Sequence, residues 1–430
     1  MIFFNCLTYN SNFQPQSGTL WKILFFGLLV VINACDSPNN VTPYQGQTFI
    51  KLYGGSGSEE GKDLLLLPDG GFILVGSSTS ETEGGKDVYV VRTDNIGNVI
   101  WEKKFGGKGD DCGNSVILAQ NNSLYICGET TQDSSANMGF RDVYVLNISV
   151  DDGSRIGEQV YGDSLRDEYG TSILDIEDAG YLITATWEGV NPEFFMIEAD
   201  ENLLALPNRS NYVSGDKGVN NFSTGTFEIT QNNPLNPPFI CFGSVLESNS
   251  NTFNYQSFYY RTNSGQAIFQ ELYGTSENNE FCTDIYETSD GGYILTGYSD
   301  EGSFTKEMVV KLDPNRQEVW MQMYSNEFNQ NVRESGIIQT QDGGYIVTSV
   351  IELNDPKNDE ISLLKLNPLG EEEWRKTYGS NDNDVGAKVV QLEDGSYAVV
   401  GTIGFNINTD SRSKMCLMKV NPEGDLVPID

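Results

Sequence analysis

One theme recurs seven times between Tyr53 and the C-terminus: an aromatic-glycine end, an acidic loop, a turn often built on Asp-Gly-Gly, and two further apolar runs. Aligned on the aromatic or leucine after the turn, Phe72, Leu124, Tyr181, Phe239, Tyr293, Tyr345 and Tyr397 stand 52, 57, 58, 54, 52 and 52 residues apart. A period of that length marks one supersecondary unit per repeat. A lone unit cannot bury its own apolar face and must stack on neighbours.

Four short strands are readable within a unit. In the first, strand A spans Asp63–Leu67, B Phe72–Ser77, C Asp87–Thr93 and D Asn98–Phe105. Each is rich in Val, Ile, Leu and aromatics and is bounded by Gly, Asp or Asn, a strand signature. The Asp69-Gly70-Gly71, Asp290-Gly291-Gly292 and Asp342-Gly343-Gly344 turns join A to B, where glycine enters the positive-φ wells of two-residue hairpins. Trp101, Trp320 and Trp374 recur on strand D, where large rings are expected to fill the space between units.

The last repeat stops after strand C, at Val420, while Thr48–Tyr53 reads as an orphan strand D. The simplest closure pairs the two and removes the edges an open array would expose. The fold expected is all-β: a seven-bladed β-propeller of four-stranded antiparallel blades, occupying 47–430 and closed by an N-terminal strand that completes the last blade.

Ahead of it, Ile23–Ile32 has the length of a signal-peptide core and is too short to span a membrane. Ile32-Asn33-Ala34-Cys35 resembles a bacterial lipobox, so 1–34 is expected to be a lipoprotein signal peptide and 35–46 a tether acylated at Cys35. Met1–Trp21 carries no basic side chain, which places the expected translation start near Leu20. The location expected is the cell envelope, as an outer-membrane lipoprotein.

The formal net charge is −35, and removing a leader whose only charge is Lys22 leaves −36. Long-range repulsion excludes nucleic acid as a partner and leaves the lipid as the only membrane contact. Besides Cys6 and Cys35, the cysteines are Cys112, Cys127, Cys241, Cys282 and Cys416, with no metal-like spacing, and they read as free thiols. The chain contains no histidine. Catalysis by Ser-His-Asp or Cys-His and histidine-ligated zinc are therefore excluded, and any enzyme here relies on carboxylates or tyrosine.

In such a blade the A–B and C–D turns share one face and the B–C and D–A loops the other. The second set is long and differs in every repeat, as in Ser78–Lys86, Thr130–Arg141, Glu352–Asp359 and Ile403–Lys414, so binding is expected on that face. Glu59, Asp111, Glu168, Glu280 and Asp384 recur at one D–A position. Two readings apply to them: acids that accept loop N–H bonds, or ligands for calcium. Phe140, Trp187, Phe253, Tyr255, Phe304 and Phe405 lie in or beside the B–C loops, and Trp187, Phe253, Tyr255 and Phe405 are the candidates for stacking on a sugar.

The strings DGGFILVG, DGGYILTG and DGGYIVTS, with YGG-type strand ends and the segments DVYVVRTD and MVVKLDPN, resemble repeats of secreted and lipid-anchored propellers from Bacteroidota, similar to the SBBP-type β-propeller repeats. The resemblance implies fold and envelope location. Members are often labelled by distant similarity to bulb-type lectins or endoglucanases, and no catalytic residue carries over. Three functions follow: a monomeric binding scaffold for a glycan or an envelope protein, a carboxylate-dependent glycoside hydrolase, or an architectural envelope component. The first is the leading expectation.

Overall fold

Within each repeat, apolar runs separated by glycine-containing turns fold as an up-and-down meander. The computed structural model describes residues 46–427 other than 83, 132–139, 163–165, 177–179, 189–192, 207–210, 214–220, 229–238, 247–251, 262–265, 276, 326–330, 355–356 and 408–409. The leader, Cys35 and the tether up to Gln45 lie outside the described residues.

The strands are β1 (Phe49–Tyr53); β2 (Glu59–Leu66), β3 (Phe72–Ser78), β4 (Asp87–Thr93) and β5 (Val99–Phe105); and β6 (Asp111–Leu118), β7 (Ser123–Thr131), β8 (Arg141–Ser149) and β9 (Arg155–Tyr161). They continue with β10 (Asp167–Ile176), β11 (Gly180–Glu188), β12 (Glu193–Ala199) and β13 (Asn211–Val213); and β14 (Asn221–Glu228), β15 (Phe239–Leu246), β16 (Phe253–Arg261) and β17 (Gln266–Tyr273). The rest are β18 (Asn279–Glu287), β19 (Tyr293–Asp300), β20 (Thr305–Leu312) and β21 (Glu318–Tyr324); β22 (Val332–Gln339), β23 (Tyr345–Asn354), β24 (Lys357–Leu366) and β25 (Glu372–Tyr378); and β26 (Val385–Gln391), β27 (Tyr397–Ile407) and β28 (Asp410–Val420). Each group of four is one antiparallel sheet, and β1 pairs with β28 as the outer strand of the last. The fold is an all-β propeller.

Packing follows from the ring. Innermost strands touch in succession, β2 to β6, β10, β14, β18, β22 and β26, and β26 returns to β2. The middle strands β3 and β4 lie between neighbouring sheets and are almost wholly buried, which is why they read as continuous apolar runs, whereas outer β5 is mostly exposed and buries only Trp101 and Phe105. Every A–B pairing carries a bulge at the same level, such as Gly61/Asp63 and Gly113/Ser115. Two of the sheets show why glycine stands opposite it. A Cβ on Gly76 or Gly128 would fall 1.9 Å from the carbonyl oxygen of Glu60 or Cys112.

Neighbouring sheets are also locked at the outer strands. Tyr53, Tyr324 and Tyr378 hydroxyls donate to the carbonyls of Gly97, Gly370 and Gly424, positive-φ residues in the next sheet's C–D turn. Tyr161 does the same to Leu203, itself at φ +63°. Where Phe105 has no hydroxyl, the Trp101 indole donates to the Val150 carbonyl at 3.1 Å. Added Cβ atoms on Gly153, Gly370 and Gly424 would meet the rings of Trp101, Trp320 and Trp374, so these indoles do fill the space between sheets.

Two local expectations change. The A–B turns among the described residues are three-residue loops: Leu67 N–H donates to the Gly71 carbonyl and Gly70 N–H to the Leu67 carbonyl, both at 2.9 Å, with Gly70 at φ +83°. This is the type I turn followed by a left-handed residue that closes many hairpins. A basic residue at the penultimate position of strand C secures four of these turns, as Arg92–Asp69, Lys311–Asp290, Lys365–Asp342 and Lys419–Asp394 pairs at 2.9–3.1 Å. Second, Glu352–Asp359 and Ile403–Lys414 are not open loops. Their residues pair across extended hairpins, Glu352 with Asp359 and Ile403 with Lys414, and in the second of them Ile403, Phe405 and Ile407 are the β-branched and aromatic residues that favour a continued ladder.

Candidate functional site

The repeated acids are built into the loops. Gly54, Gly106, Gly274 and Gly379 leave room for the carboxyl groups of Glu59, Asp111, Glu280 and Asp384, which an added Cβ would approach to 2.1–2.5 Å. Asp111 accepts from Gly107 N–H at 2.9 Å, Glu280 from Thr275 N–H at 2.7 Å, and Asp384 from Gly404 N–H at 2.8 Å. Glu59 accepts from the Ser78 hydroxyl at 3.0 Å and pairs with Lys414. Glu168 is buried at the matching place. Burial raises the pKa of Asp111, Glu280 and Asp384. It pushes Glu59 the same way, but Lys414, Ser80 and Ser78 outweigh it and hold that group low. Among the described residues no three or more Cys, Asp or Glu side chains gather as a metal set. The geometry is that of acids pinning loops.

The aromatic candidates with described side chains each meet a different protein group or lie exposed. Trp187 packs against the core shared by the second and third sheets, with the Arg166 guanidinium 4.7 Å from its ring centre. Phe253 stacks on Phe281 at 4.9 Å, and Phe281 on Tyr298 at 5.0 Å. Phe405 lies on the β27–β28 hairpin with the Lys414 ammonium 5.9 Å from its ring, and Phe304 lies 5.4 Å from that of Lys306. Phe140 is exposed. Tyr255 is on β16, and its side chain lies outside the described part of the structure.

What does converge is a polar recess of about 390 Å³. It forms where the inner strands β2, β6 and β10 begin and β3 and β7 end, hence on the loop-rich face. Glu60, Lys62, Lys86, Glu129, Arg141 and Tyr169 line it with Ser77, Cys112, Asn114 and Thr171. Lys86 pairs with Glu60 at 3.1 Å and Arg141 with Glu129 at 3.3 Å, while Arg141 also reaches Glu188 and sits 5.4 Å from the Tyr169 ring. Burial raises the pKa of Glu129 against the pull of Arg141. The Cys112 thiol is pushed up to about 11, again chiefly by burial.

Lys62 and Asn114 also line the central channel, a cavity of about 340 Å³ to which all the inner strands contribute. There the Lys388 ammonium lies 3.2 Å from Asp284, whose charge holds the lysine's pKa up. Asp63 and Asp284 accept the Val116 and Ile337 N–H groups of the following sheets at 2.8 and 2.9 Å. On the other side of the recess, Glu60 is shared with a second polar hollow of about 400 Å³ that includes Asp382, Asn383 and Arg412. A larger hollow, about 640 Å³, lies on the turn face, but its Asp69 and Asp394 are the turn acids held by Arg92 and Lys419. The loop-face recess combines donors, acceptors and an aromatic side chain in a volume suited to a small ligand group.

No protein-family model matches the chain, and no curated protein matches it. Among solved structures it is similar to a protein of unknown function from Dyadobacter fermentans, at 9% identity and TM-score 0.46, covering 88% of this chain and 99% of that one. It is similar also to the WD40 domain of Neurospora crassa Pan2, at 9% identity and TM-score 0.48, covering 87% and 94%. A variant of the NanB sialidase from Streptococcus pneumoniae gives 10% identity and TM-score 0.44, covering 87% and 70%.

Proposed function

We propose that this protein is a glycan-binding propeller whose principal subsite is the recess of Lys86, Arg141 and Tyr169. The reading includes seven blades, membership of the lipid-anchored Bacteroidota propellers, and an outer-membrane location through Cys35. One observation carries the binding role: on the face where loops vary, one recess sets paired charges beside hydroxyls, an amide and an aromatic ring. Sugar hydroxyls donate and accept at once, and Glu60–Lys86 and Glu129–Arg141 offer both partners in fixed geometry. Flanking hollows such as that of Asp382 and Arg412 give a chain of sugars room to continue.

A second reading rests on Glu129. A carboxyl group with a raised pKa beside a second one, Glu60, in a recess is the composition glycoside hydrolysis requires. Incubating the full chain with immobilised polysaccharides, and assaying released reducing ends, separates the two. Retention without release is expected. Arg141→Ala is expected to weaken retention about 10–100-fold, the worth of hydrogen bonds to a charged group. Release abolished by Glu129→Gln makes the protein a hydrolase. Absence of retention on any polysaccharide rejects the glycan reading.

A further inference from the structure

We propose that the glycan is acidic and that Lys62 reads its carboxylate; the inference rests on the binding role just given and specifies its ligand. The charges around the recess are otherwise mutually satisfied: Glu60 by Lys86 at 3.1 Å, Glu129 by Arg141 at 3.3 Å, and, in the channel beneath, Asp284 by Lys388 at 3.2 Å. Lys62 differs. It is exposed, it lines both the recess and the channel, and among the described residues it makes no hydrogen bond or ion pair.

Its position explains this. Lys62 is the extra residue of the β2 bulge, between Gly61 and Asp63, and a bulge turns that side chain out of the ladder toward the opening. The same position carries Asn114 on β6, Thr171 on β10, Thr224 on β14, Thr283 on β18, Glu334 on β22 and Ala387 on β26. The immediate neighbours on either side, Asn114 and Ala387, are uncharged, and the one acid stands two sheets away. Unpaired charge at a binding surface favours a ligand of opposite sign. The charge of Lys62 is felt by Glu129 across the recess, yet among the described residues no acid holds it in an ion pair; in a chain with 26 cationic and 61 acidic side chains, such a cation marks where an anion gains most. Asn114 beside it donates to the Gly170 carbonyl at 2.9 Å, which orients its amide oxygen as an acceptor for a neighbouring hydroxyl.

The test compares an oligomer of hexuronic acid with the same oligomer after chemical reduction of its carboxyl groups, by calorimetry on the full chain. The uronate is expected to bind at least about tenfold more tightly, as a charge-assisted hydrogen bond would give. Lys62→Gln is expected to bring that ratio toward one, and Lys62→Arg to keep most of it. Thermal unfolding of both variants checks that the bulge is intact. Equal affinity for the two oligomers, or a ratio that survives Lys62→Gln, overturns the proposal while leaving the glycan reading in place. Failure of both oligomers to bind, together with failure of neutral polysaccharides, rejects the two readings together.

Discussion

Alanine at position 101 is expected to destabilise the protein by about 3–5 kcal/mol, the range for losing a buried tryptophan. Trp101 is only 9% exposed and belongs to a core built jointly by the first two sheets, from Ile73 and Val90 on one side to Leu146 and Val150 on the other. Its indole N–H also satisfies the Val150 carbonyl at 3.1 Å. The ring lies over Gly153, where a Cβ would come within 2.9 Å of it. Removing it therefore opens a cavity at a sheet-to-sheet seam and takes one of two donors from the Val150 carbonyl, which keeps its hydrogen bond from the Arg92 guanidinium at 2.7 Å. Urea denaturation gives the number, and Trp101→Phe, which keeps most of the apolar contact, should lose distinctly less. A loss below about 0.5 kcal/mol, the range of ordinary surface changes, would mean the seam is held elsewhere.

Asp384→Ala is the second large effect, at about 2–4 kcal/mol, because the carboxylate is fully buried and accepts from Gly404 N–H at 2.8 Å as well as from Ser380 N–H. Two loop donors would be left without their acceptor, each costing about 1–3 kcal/mol. Asp384→Asn keeps one acceptor oxygen and sheds a buried charge whose pKa burial already raises, so it should be milder. The same experiment weighs the calcium alternative. With its oxygens engaged by the loop, Asp384 offers a cation nothing further, and millimolar calcium is expected to leave the wild-type melting temperature unchanged. A rise abolished by Asp384→Asn would return calcium to the site.

Much of the fold is legible along the chain because its physics repeats. The Asp-Gly-Gly turns, the aromatic-glycine strand ends and the recurring Trp101, Trp320 and Trp374 each reflect a contact made again in another sheet: a turn acid on a strand C cation, a buried acid under a glycine, an indole over a positive-φ glycine. The pairing of β1 with β28 was likewise readable from the missing last strand. Bulges were not, since a single extra residue such as Lys62 leaves the apolar pattern on either side intact.

The recess escaped for the opposite reason: it breaks the period. At the register position of Glu60 the next two repeats carry Cys112 and Tyr169, and where the second sheet has Glu129 the first has Ser77. Alignment on repeats draws the eye to residues that recur, and those are structural here, as Glu59 and Asp384 show. The signal available was positional chemistry: Lys86 and Arg141, two cations of a strongly acidic chain, each placed at the entrance to strand C. Of the aromatic side chains near loops, Phe253 and Trp187 meet other protein groups, Phe281 and Arg166.

Cys112 offers the most direct test of the recess as the binding site. It lines the recess and is partly exposed, whereas Cys127, Cys241, Cys282 and Cys416 are buried. With its thiol pushed up to about 11, alkylation at moderately alkaline pH is slow enough to follow by peptide mass spectrometry. A saturating glycan should slow labelling of Cys112 at least severalfold and leave the buried thiols as they were. Unchanged labelling of Cys112 while the glycan is demonstrably bound would place the binding site elsewhere on the propeller.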